Sequence, residues 1–183
     1  TPVKSLRCKP PIHLTLEKQK MENSSNGPLL NSLQTGGQTG VDRAVLDVAL
    51  STGLQITGWC PRGRKSEDGT LAKQYPLKET PSAKYDQRTS WNIRDSDGTL
   101  ILLKGKANGG TILTMEKAHQ KSKPLLVVDL ENPLNFGIIR HWLWQSKIRH
   151  LNVAGPRESR CPGIYQATRI FLARLFAELF ENF

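Results

Sequence analysis

The chain has 183 residues, a formal net charge of +10, 37% hydrophobic residues and 7% aromatic residues. That length suffices for one soluble domain with its own core. No apolar run approaches the roughly 20 residues of a membrane span, and the positive charge favours anionic partners over membranes. Three widely spaced cysteines (Cys8, Cys60, Cys161) and four scattered histidines show neither a disulfide framework nor a zinc pattern. No metal site is expected, and a reducing, cytoplasmic compartment is.

Residues 1–31 are basic and polar, contain Pro10-Pro11 and lack periodicity. A flexible N-terminal arm is expected there, followed by a single domain over 32–183. From Leu33 onward, strand-like and helix-like segments alternate. Apolar residues at 41, 45, 46, 48, 49 and 50 predict a helix from Val41 to Leu50. A short strand over 54–60 ends in the turn Pro61-Arg62-Gly63. Ser82 is a candidate cap for a helix from Ala83 to about Ser96. "GTLILLK" (98–104) reads as a buried strand, Asn108-Gly109-Gly110 as a turn, and Thr111 to Gln120 as a helix. "PLLVVDL" (124–130) is a second buried strand, Pro133 to Gln145 a helix, "HLNVAG" (150–155) a strand, and Gly163 to Phe180 a long closing helix. Continuous apolar strands separated by helices predict an α/β fold: a Rossmann-like three-layer α/β/α sandwich with a mainly parallel sheet.

In such a sheet ligands bind beyond the carboxyl ends of strands. Three glycine loops fall at such places. The first, Gly36-Gly37-Gln38-Thr39-Gly40 followed by Asp42 and Arg43, places three glycines within five residues, which suggests that something comes close to the backbone. It opens a helix whose N-terminus attracts anions. Asp42 either caps that helix or hydrogen-bonds ligand hydroxyls. The loop matches neither a Walker A motif nor GxGxxG. The second, Asn108-Gly109-Gly110-Thr111, is either a capping turn or a phosphate cradle. The third, Gly155-Pro156-Arg157-Glu158-Ser159, offers an arginine that can hold a phosphate bidentately or stand free on the surface. In "YDQRTSWNIRDSD", Arg88, Asn92 and Asp95 share one helix face beside Trp91. That stripe is either a ligand-facing wall or a salt-bridged solvent face.

Together "TGGQTGVDRAVLDVAL", "GWCPRGRKSEDG", "YPLKETPSAKYDQRTSWNIRDSDGTLIL", "GGTILTMEKA" and "LNVAGPRES…PGIY" resemble the circularly permuted YpsA-like family of the SLOG superfamily, whose members are often labelled molybdenum carrier proteins. The resemblance runs from about residue 33 to 177. In unpermuted relatives a Gly-x-Arg loop comes first and Gly-Gly-x-x-Gly second; here Gly36–Gly40 comes first and the strand leading to Arg157 comes last. The resemblance implies a nucleotide- or cofactor-binding pocket. Related phosphoribohydrolases carry Pro-Gly-Gly-x-Gly-Thr-x-x-Glu with a catalytic Glu. Here the Gly109-Gly110…Glu116 spacing is kept, but Ile112-Leu113 replaces Gly-Thr and Asn108 replaces Pro.

Two functions follow as expectations. The first is binding, without covalent change, of a phosphorylated small ligand: a nucleotide, or molybdenum cofactor through its pterin phosphate. The three loops and Arg157 would hold the anion, Asp42 and Asp95 would accept ligand N–H or O–H groups, and Trp59 or Trp91 would stack on a ring. The alternative is a nucleotide N-glycosidase with Glu116 activating water. Nucleic acid is a less favoured partner, because basic and aromatic residues do not interleave. A homo-oligomer is expected.

Overall fold

Two of the apolar runs form the buried middle and one edge of a five-stranded sheet. In the computed structural model, which describes residues 30–107 and 109–180, the sheet contains β1 (Ser32–Gln34), β2 (Gln55–Thr57), β7 (Gly98–Leu103), β8 (Leu125–Asp129) and β9 (His150–Ala154). Short strands β3 (Trp59–Cys60), β4 (Lys65–Ser66), β5 (Gly69–Thr70) and β6 (Lys78–Glu79) lie outside it. The helices are α1 (Val41–Thr52), α2 (Tyr85–Asp95), α3 (Gly109–Gln120), α4 (Phe136–Gln145) and α5 (Ile164–Phe180). The expected arm over 1–31 falls outside the described residues except for Leu30, which joins the core, and Asn31, whose N–H donates to the Arg149 carbonyl at 2.7 Å. Cys8 and Asn108 also lie outside them.

The sheet order is β2-β1-β9-β7-β8 and every pairing in it is parallel. The last strand therefore enters between β1 and β7. Leu33 sits beside Leu151 on one side and Ile56 on the other. Side chains alternate across the sheet, as a strand requires. Leu100 and Leu102 of β7 face a large core closed by Val41, Val45 and Val48 of α1, Leu143 of α4, and Leu172, Leu175 and Phe176 of α5. Ile101 and Leu103 point the other way, to Ala154 and to Met115 of α3. α2 packs beside α3. These three layers are the expected α/β sandwich. Among the described residues, no helix is long and apolar enough to cross a membrane.

Local chemistry sets the element ends. Gly53, left-handed at φ 71°, stops α1. The Glu158 carboxylate accepts N–H groups of Gly163 at 2.5 Å and Tyr165 at 3.0 Å, and so caps the start of α5. Asn135 caps α4 through Gly137 N–H at 2.7 Å, so this helix begins at Phe136 and not at Pro133. Ser82 does not cap α2. Its hydroxyl accepts Lys84 N–H at 3.1 Å in a turn, and the helix starts at Tyr85. α3 starts at Gly109, two residues before Thr111.

The strand predicted over 54–60 breaks at Gly58. This residue has φ 130°, and a Cβ there would lie 2.4 Å from the Thr35 carbonyl oxygen. Beyond it β3 leaves the main sheet and pairs with β6. The excursion between them is organised by Arg64, whose guanidinium donates to the carbonyls of Leu71, Leu77, Ala72 and Tyr75 at 2.8–3.1 Å. Leu71, Tyr75 and Leu77 then pack with Cys60 against Leu46 of α1.

Gly155 ends β9 where a Cβ would meet the Leu102 carbonyl oxygen at 2.1 Å and Val41 Cγ2 at 2.6 Å. Backbone cannot yield as a flexible side chain can. Gly155→Ala should destabilise the fold by about 1–3 kcal/mol, the usual cost of overpacking. Urea midpoints of the two proteins check this; equal midpoints would show that the sheet gives way freely.

Candidate functional site

The sheet places three loops side by side. β1, β9 and β7 are neighbours, and each ends at the same edge of the sheet because all run parallel. From β1 the chain moves outward to β2, from β7 outward to β8, with β9 between them. That reversal of strand order is where open α/β sheets form a crevice. A cavity of about 420 Å³ lies there, walled by the first loop and α1 (Gln38, Asp42), α2 (Tyr85, Arg88, Thr89), the start of α3 (Gly109 to Thr114) and the third loop (Gly155 to Arg157, with Arg160).

The glycines divide into two kinds. Gly36, Gly37 and Gly40 do make room, but for the protein itself. A Cβ at Gly36 would overlap Arg88 Nη1 at 1.7 Å. At Gly37, φ is 78° and Leu71 and Leu77 lie within 2.9 Å of a Cβ. At Gly40 the Pro156 carbonyl oxygen would be 2.4 Å away. Gly109 and Gly110 are different: among the described residues nothing lies within 4 Å of a Cβ on either. The open space in this site is therefore at the N-terminal turn of α3, whose backbone N–H groups carry the positive end of the helix.

Three guanidiniums and one carboxylate line the cavity. Asp42, 3% exposed, accepts Gln38 N–H at 3.2 Å and Arg88 Nη1 at 3.0 Å, both on Oδ2. Tyr85 lies between Arg88, 6.0 Å from its ring centre, and Arg157, at 5.5 Å. Arg157 is 3.7 Å from Glu67, a loose contact. Arg160 has no ion-pair partner among the described residues. The balance is positive, and it suits an anion.

Glu67, at the β4–β5 turn, went unnoticed in the sequence, yet it holds two of the loops together. Its carboxylate accepts the hydroxyls of Thr39 and Ser159 and the N–H of Ser159 at 3.2 Å. Its own N–H donates at 2.8 Å to Gln38 Oε1. Partial burial opposes its ionisation, but the hydrogen bonds from Ser159 and Thr39 outweigh that and hold its carboxyl below the usual range. Thr39 also accepts Glu158 N–H at 3.2 Å. Thr39 and Ser159 thus fasten the loops and do not line the cavity.

The remaining predicted residues are placed as follows. Gln38, Asp42, Arg88, Gly109, Gly110, Thr111, Gly155, Pro156 and Arg157 share the cavity. Asn108 lies outside the described residues. Arg43 turns to the far side of the first loop and pairs with both Asp68 oxygens at 3.1 and 3.2 Å. Trp59, Trp91, Asn92 and Asp95 do not line the cavity; they bind α2 to β3. Asn92 accepts Trp59 N–H at 2.8 Å and donates to its carbonyl at 3.0 Å. Asp95 accepts the Trp59 indole N–H at 2.7 Å, and the two indoles meet edge to face at 4.6 Å. Glu116 is exposed and does not line the cavity, although Leu113, one turn before it, does. Among the described residues no cluster of His, Cys, Asp and Glu has the makings of a metal site.

A carboxyl with a lowered folded value stabilises the fold above its ordinary value, 4.5 for Glu67, and loses that contribution as pH falls through the lowered one. Glu67→Gln should therefore have a lower urea midpoint than the parent at pH 6. The gap should narrow as the pH falls below 4.5 and through the lowered value, where the Glu67 carboxyl becomes neutral too. A gap that stays constant with pH would mean that the ionised carboxylate is not what holds the loops.

The sequence profile of the Circularly permutated YpsA SLOG family matches residues 33–176. No curated protein matches the chain. Among solved structures, the 1.45 Å crystal structure of a putative molybdenum carrier protein from Syntrophus aciditrophicus SB is similar: 41% identity, TM-score 0.79, 82% of this chain and 97% of that chain covered. A last strand that takes the middle of the sheet is what a permuted order produces. With the profile spanning the sheet and all three loops, the chain belongs to the circularly permutated YpsA SLOG family.

Proposed function

We propose that the cavity binds a phosphate-bearing small molecule, either a nucleotide or the pterin phosphate of molybdenum cofactor, and holds it without covalent change. One observation carries the reading: Arg160, without an ion-pair partner among the described residues, and the open N-terminal turn of α3 border the same space. A phosphate there would receive N–H groups from Gly109 to Thr111 and charge from Arg160 and Arg157. Arg157 would exchange its loose contact with Glu67 for the ligand. Asp42 already neutralises Arg88, so that pair orders the wall.

Molybdenum would enter as cargo. Among the described residues neither thiol nor imidazole lines the cavity, so anionic oxygens of the cargo, and not protein-to-metal bonds, would make the contacts. The similarity to a protein named as a molybdenum carrier supports this form of the proposal. The free thiols of Cys60 and Cys161 suit a reducing, cytoplasmic setting. Hydrolysis through Glu116 draws no support from its exposed place on α3, outside the cavity lining.

Calorimetry with AMP tests the proposal. Arg160→Ala should weaken AMP binding by about tenfold or more, the scale of one charge-assisted hydrogen bond. Gly110→Ala, with open space at its Cβ, should leave the melting temperature equal or slightly higher. Chromatography of the AMP mixture should show no free adenine. AMP affinity that is unchanged in Arg160→Ala would place the anion elsewhere, and release of adenine would make the protein an enzyme.

A further inference from the structure

Asp42 uses only one of its two oxygens inside the protein. Oδ2 takes both Gln38 N–H and Arg88 Nη1, and no donor among the described residues reaches Oδ1. The side chain is 3% exposed and lines the cavity. Oδ1 is not among the sealed atoms that lack a partner, so the spare oxygen is the one that meets the cavity.

Gln38 holds the loop beside Asp42. Its Oε1 accepts Thr39 N–H at 3.0 Å and Glu67 N–H at 2.8 Å, and these two donors fix which way the amide points. Nε2 is then left buried without an acceptor, on a side chain 5% exposed that also lines the cavity. The Asp42 oxygen is open to the cavity and unmet, whereas Gln38 Nε2 is sealed behind the same wall. Such groups are costly unless a partner comes to them.

Resting on the phosphate-binding reading above, we propose that Asp42 is a specificity-determining residue: the ligand must present a hydrogen-bond donor, N–H or O–H, to its free oxygen. Two parts of a nucleotide-like ligand offer that chemistry. A heterocycle edge pairs N–H with a ring nitrogen or carbonyl. A sugar hydroxyl donates and accepts through one oxygen. Inorganic phosphate has neither ring nor sugar, and its charge draws it to the α3 turn and the arginines and away from the like-charged Asp42 carboxylate.

Calorimetry on the wild-type chain uses five probes: inorganic phosphate, AMP, GMP, ribose 5-phosphate and 2′,3′-dideoxy-AMP. The tighter of AMP and GMP should bind about tenfold or more above inorganic phosphate. If the ring edge meets Asp42, dideoxy-AMP keeps the affinity of AMP and ribose 5-phosphate loses the gain. If a hydroxyl does, the two exchange places. Asp42→Asn should weaken the tighter nucleotide by about tenfold or more while inorganic phosphate binds as before. A role in folding alone would lower both together, or neither, and that result overturns the proposal. Should the variant not fold, the wild-type series decides: equal affinity for all five probes refutes a donor requirement. Failure of every probe, inorganic phosphate included, would instead refute the phosphate-binding reading.

Discussion

The site depends on one close approach, the packing of the 155–158 backbone against Gly40. Val41 N–H donates to the Pro156 carbonyl at 3.2 Å, and neither Gly40 nor Gly155 has room for a Cβ. This contact is the loop-level consequence of β9 entering between β1 and β7. Were the last strand at an edge, the arginines at 157 and 160 would not face the first glycine loop, and the cavity would lack a wall. Chain order and site geometry are thus linked: the closing segment of the permuted domain completes a pocket that the opening segment begins.

Around that contact the charges sort into two roles. Arg88 and Asp42, 14% and 3% exposed, form a nearly buried pair whose desolvation cost is offset only while both partners stay. Gly36 exists to let Arg88 lie flat across the loop, where its Cβ would otherwise stand 1.7 Å from the guanidinium. Arg160 is exposed and has no ion-pair partner among the described residues, and Arg157 is loosely held. The inner pair shapes the wall, and the outer arginines remain available. An exposed arginine gains little from a surface partner in water, but it gains more from a dianion seated on a helix N-terminus, where the peptide dipoles add to it.

Much of this was legible in the sequence, and the failures have physical causes. The run at 98–104 read correctly because a strand buried on both faces must be apolar throughout; that at 124–130 is a half-buried edge strand, yet apolar enough to read the same way. The first glycine loop reads as a place of close approach, and it is one, but local sequence does not say what approaches. For Gly36, Gly37 and Gly40 it was Arg88, Leu71 and Leu77, and Pro156, each distant in the chain. Glu67 was invisible because a charged residue in "RKSEDG" looks like solvated surface; its partners lie 28 and 92 residues away. The polar stripe on α2 read as a wall or a salt-bridged face. It divides: Arg88 meets the cavity, whereas Asn92 and Asp95 grip Trp59. The break at Gly58 followed from a backbone contact with Thr35 that no periodicity encodes.

Native mass spectrometry of freshly purified chain tests the central claim most directly, because a cavity built for a phosphorylated ligand should retain one or accept one. The account predicts a phosphorus-bearing adduct of small-molecule mass, or a one-to-one adduct when AMP or GMP is added to bare protein. A chain that keeps its bare mass from purification through millimolar additions of both would contradict it.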